Sequence, residues 1–290
     1  MIDPFCKKVF KELGINVFME TGTDMGESVA SVSCWFAEFD PDFGEISELT
    51  VTGARSYSPW SKAIQYPIFK NARESRYKVH SVDVMKECYE NANKLFESNP
   101  NVCLYRASSD QFIRDWVEKV NSSDELRKNK YFFYLDAHWY KYWPLRDEIK
   151  EILKLDQFII GIDDTMVPGK SDPRFPHGDF GYELNKGTPL NWAYMHDLFS
   201  ERKVSVFYPN TSNRDRKGWL LIFSGYDESQ LSFLEQNNMF RVGQDDPIHA
   251  EKKPVPFVAH LDPINIVKRL VPISLIRASV RNYQKLFPAS

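Results

Sequence analysis

The sequence has no run near the roughly 18 consecutive apolar residues that a spanning helix needs, and its N-terminus, MIDPFCKKVF, lacks the unbroken apolar stretch of a secretion signal. No membrane span is expected, and a cytoplasmic protein is the reading that follows. Cysteine is scarce. Cys6, Cys34, Cys88 and Cys103 are scattered, with no Cys-x-x-Cys pair and no Cys/His spacing. That excludes a zinc-ligand pattern and a disulfide framework, and leaves reduced, partly buried thiols. Excess charge is missing too: 37 Lys and Arg against 40 Asp and Glu leave a net charge of −3. No overall field draws a polyanion, so no nucleic-acid partner is expected. Glycine is sparse, 13 in 290 residues, and no Gly-x-Gly-x-x-Gly occurs, so the usual pyrophosphate fingerprint of a dinucleotide site is absent.

What remains is an ordinary folded composition, 42% hydrophobic and 27% charged. One main core over residues 1–250 is expected, with an insertion at about 40–77 and a basic extension at 251–290 that packs on the domain or on a partner. Strand-like and helix-like segments alternate from about residue 15 to about 165, which points to a parallel α/β sheet. The first strand reads Ile15 to Met19, followed by the turn Glu20-Thr21-Gly22-Thr23 and a helix from Glu27. Further strands read Lys78–Val82, Val102–Tyr105, Tyr131–Leu135 and Phe158–Ile162, with helical spacing over Met85–Phe96, Asp110–Val120 and Pro144–Leu155. A helix near Leu190–Phe199 follows, and then Val204–Tyr208 and Gly218–Phe223 frame a hairpin.

In such sheets ligands bind outside the carboxyl ends of the strands, and the chemistry-bearing residues gather there. Gly22 and Gly26 permit a tight backbone approach after the first strand, and Glu20 suits a ligand ammonium better than a pyrophosphate. Asp83 ends the second strand, where a carboxylate accepts from both hydroxyls of a ribose or else caps the next helix. Asp136 ends the fourth strand and Asp163-Asp164 the fifth. If these strands are neighbours about 4.8 Å apart, three carboxylates converge, and an all-oxygen site suits Mg²⁺ or Mn²⁺. His138, two residues beyond Asp136, falls on the same face and has the pKa of a general base, or else packs among Trp139, Tyr140 and Trp143. His177, Asp179, Tyr182 and Trp192, in or after the loop that follows the fifth strand, are candidate substrate contacts.

From Phe18 to about Phe223 these residues together resemble a class I S-adenosylmethionine-dependent methyltransferase. The resemblance implies a doubly wound, mostly parallel seven-stranded sheet in the order 3-2-1-4-5-7-6, with helices on both faces. Met19-Glu20-Thr21-Gly22-Thr23 is similar to the family's first motif. The implied cofactor contacts are Glu20, Thr21, Gly22, Thr23, Gly26 and Ser28 toward the methionine portion, Asp83 at the ribose, Ser108 and Ser109 on the adenine side, and Asp136. Leu135-Asp136-Ala137-His138 paired with Ile162-Asp163-Asp164 is similar to the metal-dependent sugar O-methyltransferases of macrolide and aminocoumarin sugars. That likeness implies a divalent cation on Asp136, Asp163 and Asp164 and a sugar-containing substrate. It makes Asp136 and His138 the catalytic pair, although the family usually has Asp where His138 stands. A homo-oligomer or a glycosyltransferase partner is compatible with the insertion and the basic tail. Two other readings share these residues: a metal-dependent relative of the cephalosporin hydroxylase type, and a cofactor-binding interaction module without catalysis.

Overall fold

The computed structural model describes residues 2–52, 64–137, 143–165, 167, 190–209, 218–237 and 239–244, all within one compact unit, Met1–Glu251. His138, His177, Asp179, Tyr182 and the tail 251–290 lie outside the described residues.

Helix α1 (Phe5–Leu13) opens the chain and buries Cys6, Val9, Phe10 and Leu13, a stripe spaced i, i+3, i+4, i+7 that leaves its lysines outside. Strand β1 (Val17–Thr21) follows, fully buried. It starts and ends two residues later than the sequence reading. Its register runs from Val17 opposite both Lys78 and Tyr131 to Thr21 opposite both Val82 and Leu135. Glu20 and Thr21 are therefore strand residues, and the chain leaves the sheet only at Gly22.

Helix α2 (Glu27–Phe39) leads into the insertion, which contains the antiparallel pair β2 (Glu45–Thr52) and β3 (Ile64–Lys70). Tyr66 of β3 is fully buried, and its hydroxyl donates to the Met25 carbonyl at 2.6 Å. The ribbon is thereby tied to the turn after β1. The alternation then runs β4 (Lys78–Asp83), α3 (Lys86–Phe96), β5 (Val102–Arg106), α4 (Ser109–Ser122), β6 (Tyr131–Leu135), α5 (Leu145–Ile152) and β7 (Phe158–Ile162). A short helix α6 (Trp192–Met195), β8 (Ser205–Pro209), β9 (Leu220–Ser224), α7 (Glu228–Gln236) and β10 (Met239–Val242) complete the described elements.

The sheet order is β5-β4-β1-β6-β7-β9-β8-β10. The expected seven-strand order is present, with β9 antiparallel to both β7 and β8, and an eighth strand is added because β10 pairs antiparallel with β8. At four residues β10 is too short to show a two-residue period in the sequence. Strand order reverses beside β1: the chain passes from β1 out to β4 and β5, then returns to its other side as β6. Doubly wound folds bind ligands at this position.

Alternation along the strands builds two cores. Phe18, Phe132, Tyr134 and Ile159 face α1, α2 and α7, where Phe10 packs on Phe132 with ring centroids 4.8 Å apart. Val17, Met19, Phe133 and Ile160 face α4 and α5, against Ile113, Val117, Ile149 and Ile152. Among the described residues no helix is long and apolar enough to cross a membrane, and all four cysteines are free.

Candidate functional site

The turn after β1 folds over the carboxyl end of β4. Gly22 and Thr23 both donate to the Val82 carbonyl, at 3.0 and 3.3 Å, and Gly26 donates to Thr23 at 2.7 Å before α2 begins. Gly22 has φ 87°, and a Cβ there would sit 2.7 Å from the Asp136 carbonyl oxygen, so glycine is required on both conformational and steric grounds. The same crossing is held by Asp136 N–H, which donates to the Thr21 carbonyl at 3.0 Å. Non-glycine Asp24 also adopts a positive φ, 44°, and its N–H donates to Asp83 Oδ2 at 2.9 Å, while Met85 N–H donates to Asp83 Oδ1 at 2.7 Å. Asp83 thus braces the turn from β4. Burial raises its pKa, and the two backbone donors oppose that rise. Each carboxylate oxygen keeps a further lone pair for a ligand donor. Beside it Val84 and Met85 are 41% and 49% exposed, an uncovered apolar pair at the strand end.

Period-2 alternation sends Glu20 and Thr21 to opposite faces of the sheet. Glu20, 1% exposed, faces α2. Its Oε2 accepts from the Ser81 hydroxyl at 2.6 Å, and Ser81 in turn pairs with Thr23 Oγ1 at 2.6 Å. Burial pushes the Glu20 pKa up to about 7, and hydrogen bonds from Ser81 and Ser28 oppose the rise. Ser28 Oγ also accepts from Ile2 N–H at 3.1 Å. The Glu20 carboxyl therefore lies beneath the turn and shapes it from below.

On the other face, Glu148 of α5 is 0% exposed. It occupies an apolar stripe with Leu145, Ile149 and Ile152. Burial pushes its pKa up to about 8, the hydroxyls of Ser109 and Thr21 oppose the rise, and Asp110 and Asp147 add to it. Neither hydroxyl reaches it with the geometry of a full hydrogen bond: both Glu148 oxygens, Thr21 Oγ1 and Ser109 Oγ are buried and lack partners among the described residues. An unmet buried oxygen costs about 1–3 kcal/mol, and within this cluster the two hydroxyls can donate and the carboxyl oxygens can accept.

At the next strand ends, Leu135 pairs with Ile162, and Asp163 N–H donates to the Leu135 carbonyl at 3.3 Å, which brings Asp136 and Asp163 side by side. Both act on the buried Tyr134 hydroxyl, which bonds to Asp163. Burial first, then Asp163 and Asp136, hold its pKa well above the ordinary value. Asp164 is buried and leaves the strand at φ 55°, so it does not continue the register. Among the described residues no group of three or more His, Cys, Asp and Glu could hold a metal ion. Asp136 and Asp163 follow paired strand ends, and Asp164 has the left-handed conformation.

Ser108 and Ser109 stand at the start of α4, as N-cap and first residue. Trp192, expected to face substrate, lies in the second core, where its indole N–H donates to the Gln244 carbonyl at 3.0 Å. Ser81, Glu148, Val84 and Met85 were not anticipated from the sequence. Glu148 did leave a signal there, an acidic residue on the apolar stripe of α5.

No family model and no curated protein matches the chain. Among solved structures it is similar to an O-methyltransferase from Bacillus cereus in complex with SAH, at 14% identity over 77% of this chain and 82% of that one, with a TM-score of 0.43. It is also similar to the O-methyltransferase TomG from Streptomyces achromogenes in complex with SAM (13% identity, 77% and 81% covered, TM-score 0.42). A third likeness is to a SAM-dependent methyltransferase from Aquifex aeolicus (12% identity, 77% and 94% covered, TM-score 0.40). At such identities and TM-scores these likenesses decide neither activity nor substrate.

Proposed function

We propose that this chain binds S-adenosylmethionine at the carboxyl edge of its sheet and transfers the methyl group to a hydroxyl, with a sugar-containing acceptor as the finer reading. The observation that carries the proposal is the pairing of the Gly22 turn with Asp83, bound together across adjacent strands where the strand order reverses. The residues present fit that cofactor. Asp83 retains acceptor capacity for a ribose diol, Val84 and Met85 offer an uncovered apolar surface beside it, and Ser108 and Ser109 open α4 next along the edge.

The cofactor supplies an electrophilic methyl group on a sulfonium. The chain's own work is to hold that group in line with an acceptor oxygen and to take the hydroxyl proton. Asp136, at the crossing of β1 and β6, stands beside the turn and is the residue placed to orient the acceptor. His138 is proposed as the base. A divalent cation belongs to the same reading: Mg²⁺ is commonly held by one or two carboxylates together with waters and substrate oxygens, and Asp136 with Asp163 supplies that number. Such an ion would acidify the acceptor hydroxyl.

The test is transfer of a labelled methyl group from S-adenosylmethionine to a panel of glycosides, with chelator and with Mg²⁺ or Mn²⁺ restored. We expect hydroxyl-dependent transfer that chelator and Asp136→Ala each abolish. Transfer that survives both would remove the ion and Asp136 from the reaction, and failure of the parent protein to label any hydroxyl would overturn the reading.

A further inference from the structure

The buried oxygen cluster on the α5 face has a place in this site. Thr21 is the last residue of β1, immediately before Gly22, and its carbonyl accepts from Asp136 N–H. Ser109 is the first residue of α4, next to Ser108. The two belong to opposite sides of the proposed cofactor position, and both have their hydroxyls buried beside the carboxyl of Glu148 without other partners among the described residues.

We propose that Glu148 is a positioning residue of the cofactor end of the sheet, its buried carboxyl joining the hydroxyl of Thr21 to that of Ser109 from beneath the site. The inference rests on the functional reading above. The chemistry favours the neutral acid. A protonated carboxyl has one O–H to give and retains acceptor capacity for both hydroxyls, so one proton satisfies what an ionised group facing Asp110 and Asp147 would leave strained. Burial keeps Glu148 largely in that form at neutral pH. Loss of the link frees the turn after β1 and the start of α4 to move separately, and the cofactor must then bear the cost of aligning them.

The experiment compares Glu148→Leu and Glu148→Gln with the parent protein, using calorimetric titration of S-adenosylhomocysteine and thermal melting. Leucine removes a buried carboxyl but also strands the Thr21 and Ser109 hydroxyls, so a modest fall in melting temperature is expected, and glutamine is expected to restore it. S-adenosylhomocysteine affinity is expected to fall about tenfold, the scale of one lost hydrogen-bonded link. Glutamine, which can both donate and accept, is expected to stay within roughly threefold of the parent. Leucine binding as tightly as the parent overturns the proposal. So does glutamine binding as weakly as leucine. If the parent binds no S-adenosylhomocysteine, the functional reading fails, and the link is decided by amide hydrogen exchange at residues 21–24 and 109–112. Faster exchange in Glu148→Leu but not in Glu148→Gln supports the link, and unchanged exchange in both overturns it.

Discussion

Glu20 and Glu148 bury their carboxyls on opposite faces of the sheet at the same strand end, and differ in what meets them. Glu20 accepts from Ser81 at 2.6 Å and has Ser28 as a second hydroxyl partner. Glu148 lies against two hydroxyls that do not complete full hydrogen bonds, with Asp110 and Asp147 nearby. Burial raises both, Glu20 to about 7 and Glu148 to about 8. Burial sets the direction for both, and hydroxyl partners oppose the rise in each. On this account Glu20 is part of a finished structural network under the turn, whereas Glu148 is a joint between two hydroxyls whose bonds to it are incomplete.

The largest effect that would break this comparison is on stability. Glu20→Leu takes the acceptor from Ser81 and Ser28 in a buried setting and is expected to cost about 1–3 kcal/mol in denaturant unfolding, while Glu148→Leu, which also removes two carboxyl oxygens that lack full bonds, costs less. Equal losses in the two variants would erase the distinction. A smaller effect sharpens it. Both carboxyls have folded pKa values raised from 4.5, so the folded state binds more protons than the unfolded one across the interval. Their contribution to stability therefore declines as pH rises, from about 4.5 to about 7 for Glu20 and on to about 8 for Glu148. Melting profiles of Glu148→Gln, relative to the parent, are expected to lose the part of the decline between about pH 7 and 8, and those of Glu20→Gln to keep it. A parent profile that both variants overlay would show that neither group titrates as described.

The alternation of elements was legible because strands such as Tyr131–Leu135 and Phe158–Ile162 are short, wholly apolar and bounded by polar turns. Helix α1 also carries a readable stripe in Cys6, Val9, Phe10 and Leu13. Gly22, Asp83 and Asp136 were placed correctly at strand ends by pattern alone. Their partners were not, because Ser81 meets Glu20 through the register of two parallel strands separated by some 60 residues, and no local period encodes that pairing. Glu148 was visible as a misfit on an apolar stripe, while Ser109 became its neighbour only through the packing of α4 on α5, and Thr21 only through the end of β1. The left-handed turn at Asp164 is a local backbone feature that strand periodicity does not encode.

The central claim is that the Gly22 turn and Asp83 form a cofactor site. Calorimetric titration of S-adenosylhomocysteine into the parent protein and into Asp83→Asn tests it most directly. The account predicts saturable binding by the parent, weakened roughly tenfold or more when the charge-assisted bonds to the ribose hydroxyls are lost. Absence of binding by the parent, or equal affinity in the two proteins, would contradict it.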